Sequence, residues 1–324
     1  MNRCLVALAL MLGLAGCQAS APDAVSSPTP TGDSVGLQGQ VLLALDGLYL
    51  ANADGTHRER VYGPDEYYGL ARISPDRTSI LTIPGTNESG ALGGGTLSLD
   101  GSTFEPLPQA DETLILIPGA WSPDGSRVAF EGWDESDPSR TGIYTARLDG
   151  TDLLRVTTSP GLPHDSPLDW SPDGRQLLFY RAVRAEPDFP IDLGGALWVV
   201  NADGSDAHAL DTGDVLPWWQ ARWSPDGSTI AFVEERLQPS GALWTVGADG
   251  TNLTEVFEDA GDRSAYGPVW SPDGSKIMFS IHPHSDMFQH PANEIHVINA
   301  DGSGLTLVVG GPGFKYVTDW WAGP

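Results

Sequence analysis

Apolar residues in this chain come in runs of three to five, each cut off by a turn of small and acidic residues. Arg127-Val128-Ala129-Phe130, Gln176-Leu177-Leu178-Phe179, Thr229-Ile230-Ala231-Phe232 and Lys276-Ile277-Met278-Phe279 are of one kind, with Ser79-Ile80-Leu81 as a shorter version. A second kind comprises Gly142-Ile143-Tyr144, Ala196-Leu197-Trp198-Val199-Val200, Ala242-Leu243-Trp244 and Glu294-Ile295-His296-Val297-Ile298. Runs this short, rich in β-branched and aromatic residues and bounded by Gly, Pro and Asp, predict strands.

The turns repeat as faithfully as the strands. Each run of the first kind follows Trp-Ser-Pro-Asp-Gly at 121–125, 170–174, 223–227 and 270–274, or its variant Ile73-Ser74-Pro75-Asp76-Arg77. From serine to serine the steps are 48, 49, 53 and 47 residues. Proline presets φ at the first turn position, Asp tolerates the second, and glycine accepts the left-handed conformation that reverses the chain. Arg77 lacks that freedom, so its turn is expected to be slightly strained or differently shaped. Runs of the second kind lead into Asp-Gly turns at 54–55, 100–101, 149–150, 203–204, 249–250 and 301–302, each followed by another short strand such as Leu154-Arg155-Val156.

Four short antiparallel strands at this period describe propeller blades. There are six Asp-Gly turns of the second series but only five of the first. The N-terminal unit lacks a first strand, and the chain finishes on Val317-Thr318-Asp319-Trp320, which matches Leu168-Asp169-Trp170. The fold expected is therefore all-β: a six-bladed propeller over residues 37–324, about 48 residues per blade, closed by pairing the C-terminal strand with the N-terminal blade.

Charge and cysteine narrow the partners. The formal charge is -26, from 43 acids and 17 bases. Eleven of the acids are the turn aspartates, and the rest still disfavour nucleic acid or an anionic membrane surface. Cys4 and Cys17 are the two cysteines, so no disulfide or Cys-based zinc site is expected in the folded body.

Arg3, the apolar run Leu5 to Leu14 and the small residues before Cys17 have the layout of a cleaved secretory signal, too short to span a bilayer. Leu14-Ala15-Gly16-Cys17 resembles a bacterial lipobox. That resemblance implies a lipoprotein signal peptide over residues 1–16, lipid on the Cys17 sulfur, and an extracytoplasmic, lipid-anchored place in the cell envelope. Gln18 after the lipid site favours the outer membrane in a host with two membranes. Residues 17–36, rich in Pro, Ser and Thr, read as the lipidated cysteine and a flexible tether. Gly32-Asp33-Ser34-Val35-Gly36 matches a nucleophile elbow formally, but an elbow needs a strand before it and a helix after.

The repeat, with its WSPDG turn and later DG turn, resembles the TolB-like, WD-repeat-like bacterial propeller family over essentially all of 37–324. TolB carries an additional N-terminal α/β domain that this sequence lacks. The family includes domains attached to serine peptidases and a metal-dependent lyase of pectate fragments. Function must then be argued from a site.

In such a blade the WSPDG and DG turns share one regular, acidic face, and longer loops collect on the other. Trp121, Trp170, Trp223, Trp270 and Trp320, with Trp198 and Trp244, recur with the repeat and read as packing between blades. Tyr67, Tyr68, Trp133, Trp218, Trp219 and Tyr266 do not recur. Placed in the loops, they are the expected binding surface for a protein, peptide or glycan. His282, His284, Asp286 and His290 fall within nine residues, and a His-x-His pair on an extended segment points both rings the same way. They are the alternative: a divalent-metal site of a carbohydrate-active enzyme similar to the pectate-fragment lyases. The leading expectation is a non-catalytic, lipid-anchored binding or scaffold module without a cofactor. A TolB-like envelope assembly factor is the third reading.

Overall fold

Each Ser-Pro-Asp-Gly turn closes on its own side chains. Gly125 N donates to Ser122 O at 2.9 Å, and Ser122 Oγ donates to Asp124 Oδ1 at 2.7 Å. The same carboxylate oxygen accepts from Ser126 N at 3.0 Å. Serine and aspartate make the same bond at Ser74–Asp76, Ser171–Asp173, Ser224–Asp226 and Ser271–Asp273. Short polar side chains thus supply locally the partners that a tight turn denies its backbone. Arg77 does adopt the left-handed conformation, with φ of 61°.

The computed structural model describes residues 36–63, 70–83, 94–159, 164–182, 195–234, 241–259, 263–283, 293–313 and 315–323, with the main chain alone for Trp218, Trp219 and Pro283. These residues form six four-stranded antiparallel sheets and one short 3-10 turn, Pro138–Arg140. Blade 3 is typical, running outward from Ile115–Trp121 through Arg127–Trp133 and Gly142–Arg147 to Leu154–Arg155. The innermost strands of blades 2, 4, 5 and 6 are Ala71–Ile73, Asp165–Trp170, Pro217–Trp223 and Arg263–Trp270.

Blade 1 closes the ring as expected. Its innermost strand is Tyr316–Trp321, paired antiparallel with Gln40–Ala44 near the other end of the sequence. Thr318 Oγ1 donates to Leu42 O at 3.2 Å and Trp320 Nε1 to Gln38 O at 2.9 Å, fastening the seam.

Between blades the packing is apolar and repeated. Phe130, Phe179, Phe232 and Phe279 occupy one position on the second strand of blades 3 to 6 and are among the largest fully buried side chains. Each such ring contributes about 1.5–3 kcal/mol through burial. The WSPDG tryptophans 121, 170, 223 and 270 are buried beside them, as is Trp320. Trp198 and Trp244 pack against the clusters between blades as expected, though each is only half-buried. Arg181 covers the ring of Trp198 with its guanidinium carbon 4.5 Å from the centroid, and Trp244 Nε1 donates to Glu234 Oε2 at 2.8 Å.

Five inner strands carry a β-bulge just before the tryptophan, where the register slips past Gly119, Leu168, the 218–220 segment, Gly267-Pro268 and Thr318. A bulge kinks and twists its strand, and it tolerates proline, which has no amide to offer the ladder. The bulge also changes which residues face the axis. Ser166 and Asp169 are half-buried three positions apart, as are Tyr316 and Asp319, where an unbroken strand would alternate by two.

Candidate functional site

The axial channel collects the polar residues that the blade packing excludes. At its turn-face end lie the residues one before each WSPDG tryptophan or its equivalent: Asp319, Arg72, Ala120, Asp169, Arg222 and Val269, in order round the ring. The two aspartates stitch neighbouring blades. Asp319 Oδ2 accepts from Ile73 N, and Asp169 Oδ2 from Trp223 N, both at 2.9 Å. Their other oxygens accept from Trp320 N and Trp170 N at 3.0 Å. Burial pushes the Asp169 carboxyl up to about 6, against the pull of Arg72 and the amides, and raises Asp319 as well.

The two arginines cross the axis. Arg72 Nη1 and Nη2 reach Thr318 O in blade 1 and Leu168 O in blade 4, each at 3.4 Å. Arg222 Nη2 donates to the same Thr318 O at 2.8 Å. Their own carbonyls accept from the tryptophan of the next blade, Trp121 Nε1 at 3.2 Å and Trp270 Nε1 at 3.1 Å. At the seams that follow Ala120 and Asp169, the indole N–H groups of Trp170 and Trp223 have no partner.

Towards the loop face the channel wall has two characters. One side carries Ser166, whose Oγ donates to Glu131 Oε2 at 2.8 Å, with His164 Nδ1 3.6 Å from Glu131 Oε1. The other is aromatic: Tyr266 meets His282 edge-on at a centroid distance of 5.4 Å and Tyr316 at 6.4 Å. Gln220 Oε1 accepts from Gly267 N at 2.7 Å and bridges blades 5 and 6 between them. Burial pushes the Tyr266 phenol up to about 12, so it stays neutral and hydrogen-bonding at any physiological pH.

Two ion networks brace the surrounding loops. Arg181 Nε and Nη2 donate to Asp165 Oδ1 and Oδ2 at 2.6 and 2.7 Å, and Thr157 Oγ1 donates to Asp165 Oδ2 at 2.7 Å. Arg140 sits between Asp111 and Asp134, at 2.6 and 2.8 Å. The buried Lys315 ammonium donates to the carbonyls of Gly311, Pro312, Gly313 and Asn293, and burial lowers it to about 8.

The residues expected to bind fall in different places. Tyr266 lies on the innermost strand of blade 6 rather than in a loop, and 218–219 on that of blade 5, because the inner strands extend well beyond the repeated segment. Trp133 ends the second strand of blade 3 and is half-buried. The neighbouring Asp134 is buried and paired with Arg140. Tyr67 and Tyr68 lie outside the described residues, as do Cys17, His284, Asp286 and His290; the side chains of Trp218 and Trp219 are likewise not described. His282 is buried on the second strand of blade 6 against Tyr266. Among the described residues, no three His, Cys, Asp or Glu stand close enough to share a metal ion.

Arg72, Arg222, Glu131 and Tyr316 were missed by the sequence reading. A signal existed for the first two, since the position before the tryptophan alternates acid, base and small residue twice round the ring.

No family model matches the chain. Over 123 residues, 35% of the chain, it is 28% identical to the uncharacterized peptidase YuxL of Bacillus subtilis (strain 168), and the aligned part is only 16% of that protein. Among solved structures, it superposes on a proposed TolB of Agrobacterium tumefaciens with a TM-score of 0.62 at 21% identity, over 86% of this chain and 97% of that one. TolB of Acinetobacter baumannii gives 0.65 at 16% identity, over 90% and 68%. Oligogalacturonate lyase in complex with manganese gives 0.50 at 15% identity, over 83% and 73%. At these identities the likeness is one of fold, and the chain is a six-bladed propeller built like those of TolB.

Proposed function

We propose that this chain is a non-catalytic binding or scaffold module of the bacterial cell envelope. Lipid on Cys17 holds it to a membrane, and the loop-face mouth of its axial channel receives a protein partner. The observation that carries the reading is the mouth itself. Tyr266 and Tyr316, half-buried on inner strands, meet edge-on across the seam of blades 6 and 1 and oppose the polar Glu131–His164–Ser166 wall. Tyrosines held rigidly with one face open supply contact area at small entropic cost. The TolB-like fold supports an envelope role, including that of an assembly factor.

A photo-crosslinking residue placed at Tyr316 in the host is expected to trap an envelope protein, while one at Leu305 on the turn face traps none. Equal trapping at both positions, or none at Tyr316, removes the mouth as the binding surface. Radiolabelled palmitate is expected to enter the wild-type chain and not Cys17→Ser; label in both rejects lipidation at Cys17. A peptide or glycan ligand would compete with the crosslink.

The enzyme reading rests on the lyase-like fold and the 282–290 histidines. Purified protein is expected to carry no divalent metal that depends on His282 and His284. Stoichiometric metal lost on His282→Ala and His284→Ala would establish that reading instead.

A further inference from the structure

We propose that the turn-face end of the axial channel is a carboxylate site, clamped by Arg72 and Arg222, and that it takes the C-terminal carboxylate of the protein partner. This rests on the reading above that the mouth receives a protein.

Two guanidinium groups from opposite sides of the ring, blades 2 and 5, converge on a single main-chain oxygen, Thr318 O. Like charges gather this way where an anion lies between them, because a carboxylate accepts from two forked donors at once. The acids nearby act on Arg72 only through space. Asp169 and Asp319 direct their oxygens to main-chain amides, one across a blade seam and one in their own strand each.

Arg72 is the under-satisfied member. Its Nε–H is buried without a partner, and its two terminal nitrogens make only long, 3.4 Å bonds to carbonyls. A buried donor left unmade costs about 1–3 kcal/mol. Through-space attraction to Asp319 and Asp169 offsets only part of the burial that lowers the Arg72 pKa. Unmade donors on a cation call for an anionic acceptor.

Geometry selects the source of that carboxylate. The channel at this level is narrow enough for one arginine side chain to reach from blade 2 to carbonyls of blades 1 and 4. A folded loop would bring two strands down the channel together, whereas a chain end brings one. The half-buried Ser166, Gln220, Tyr266 and Tyr316 line the way in and offer hydrogen bonds and ring faces to an extended backbone.

The test uses the purified chain and a pool of N-acetylated hexapeptides of random sequence, made once with free C-terminal carboxylates and once as C-terminal amides. Equilibrium dialysis with mass spectrometry reads retention. The acids are expected to be retained about tenfold better than the amides, the scale of one charge-assisted pair. Sodium acetate should displace them in proportion to its concentration. Arg222→Gln should abolish the preference and Arg222→Lys keep part of it, with thermal unfolding confirming that each variant folds. If Arg222→Gln does not fold, acetate competition on the wild-type protein decides.

Equal retention of acids and amides overturns the proposal, as does a preference that survives Arg222→Gln. Displacement by oligogalacturonate but by no peptide assigns the arginines to a glycan and also overturns it. Failure of both pools while crosslinking at Tyr316 persists sinks the carboxylate site alone. Selection of acids without any crosslink at Tyr316 sinks the proposed mouth instead.

Discussion

Asp169 ties two blades together at an electrostatic cost. Its carboxyl titrates near 6 in the folded chain, above the ordinary 3.8. Between those values the folded state binds the proton and the unfolded state does not, so stability falls as pH rises through this window. At about 1.4 kcal/mol per unit, the penalty at neutral pH is about 3 kcal/mol and is recovered on acidification to about pH 4. Denaturant titrations of wild type and Asp169→Asn at pH 7 and pH 4.5 are expected to show the wild type gaining on the variant at the lower pH. A constant difference between them would refute the assignment. Arg77 shows a smaller cost: held at φ of 61°, it occupies a conformation that costs an L-residue about 1–2 kcal/mol. Arg77→Gly is expected to raise stability by about 1 kcal/mol, less what is lost with the Arg77 Nη1 bond to Gly323 O.

At the scale of strands, the blade seams depend on the ring that ends each second-strand run. Phe232→Ala is expected to destabilise by about 3–5 kcal/mol, read as a lowered denaturant midpoint with little change in slope. Its neighbours Leu178, Leu197 and Ile230 are too tightly packed to close the gap. These strands were legible in the sequence because each blade must pack against an almost identical blade, which forces Phe, Trp and the Ser-Pro-Asp-Gly turn to recur. The channel obeys no such rule. A residue facing the axis meets different neighbours in every blade, so Tyr316 carries no mark of repetition, and Arg72 only the faint one of an acid, base and small residue that recur twice round the ring. Tyr266 and the 217–219 segment read as loop in the sequence because the loop-side half of each inner strand, beyond the bulge, has its own sequence in every blade. The bulges themselves were hidden, since Gly119 and Pro268 read as turn residues unless the strand around them is already known.

Over the whole molecule two sets of carboxylates oppose each other. Ten turn aspartates, among them Asp100 held near 2, have lowered pKa values because serine, threonine and backbone donors address the charged form. Their contribution is full above the ordinary carboxylate value and is lost as pH falls through the lowered ones. Asp169 and Asp319 act in the reverse sense at higher pH. Thermal unfolding is therefore expected to show greater stability near pH 5 than at pH 7, with collapse only below about pH 3. A monotonic fall from pH 7 would contradict this balance. The closure of blade 1 has a consequence for biogenesis. Gln40–Ala44 is synthesised more than 270 residues before its inner partner, Tyr316–Trp321. Until then the nascent chain displays a bare apolar strand, Val41-Leu42-Leu43-Ala44, that any passing polypeptide could extend. A chain of this topology is safest when a holdase keeps it unfolded through synthesis, and the ring snaps shut only after that inner strand is delivered.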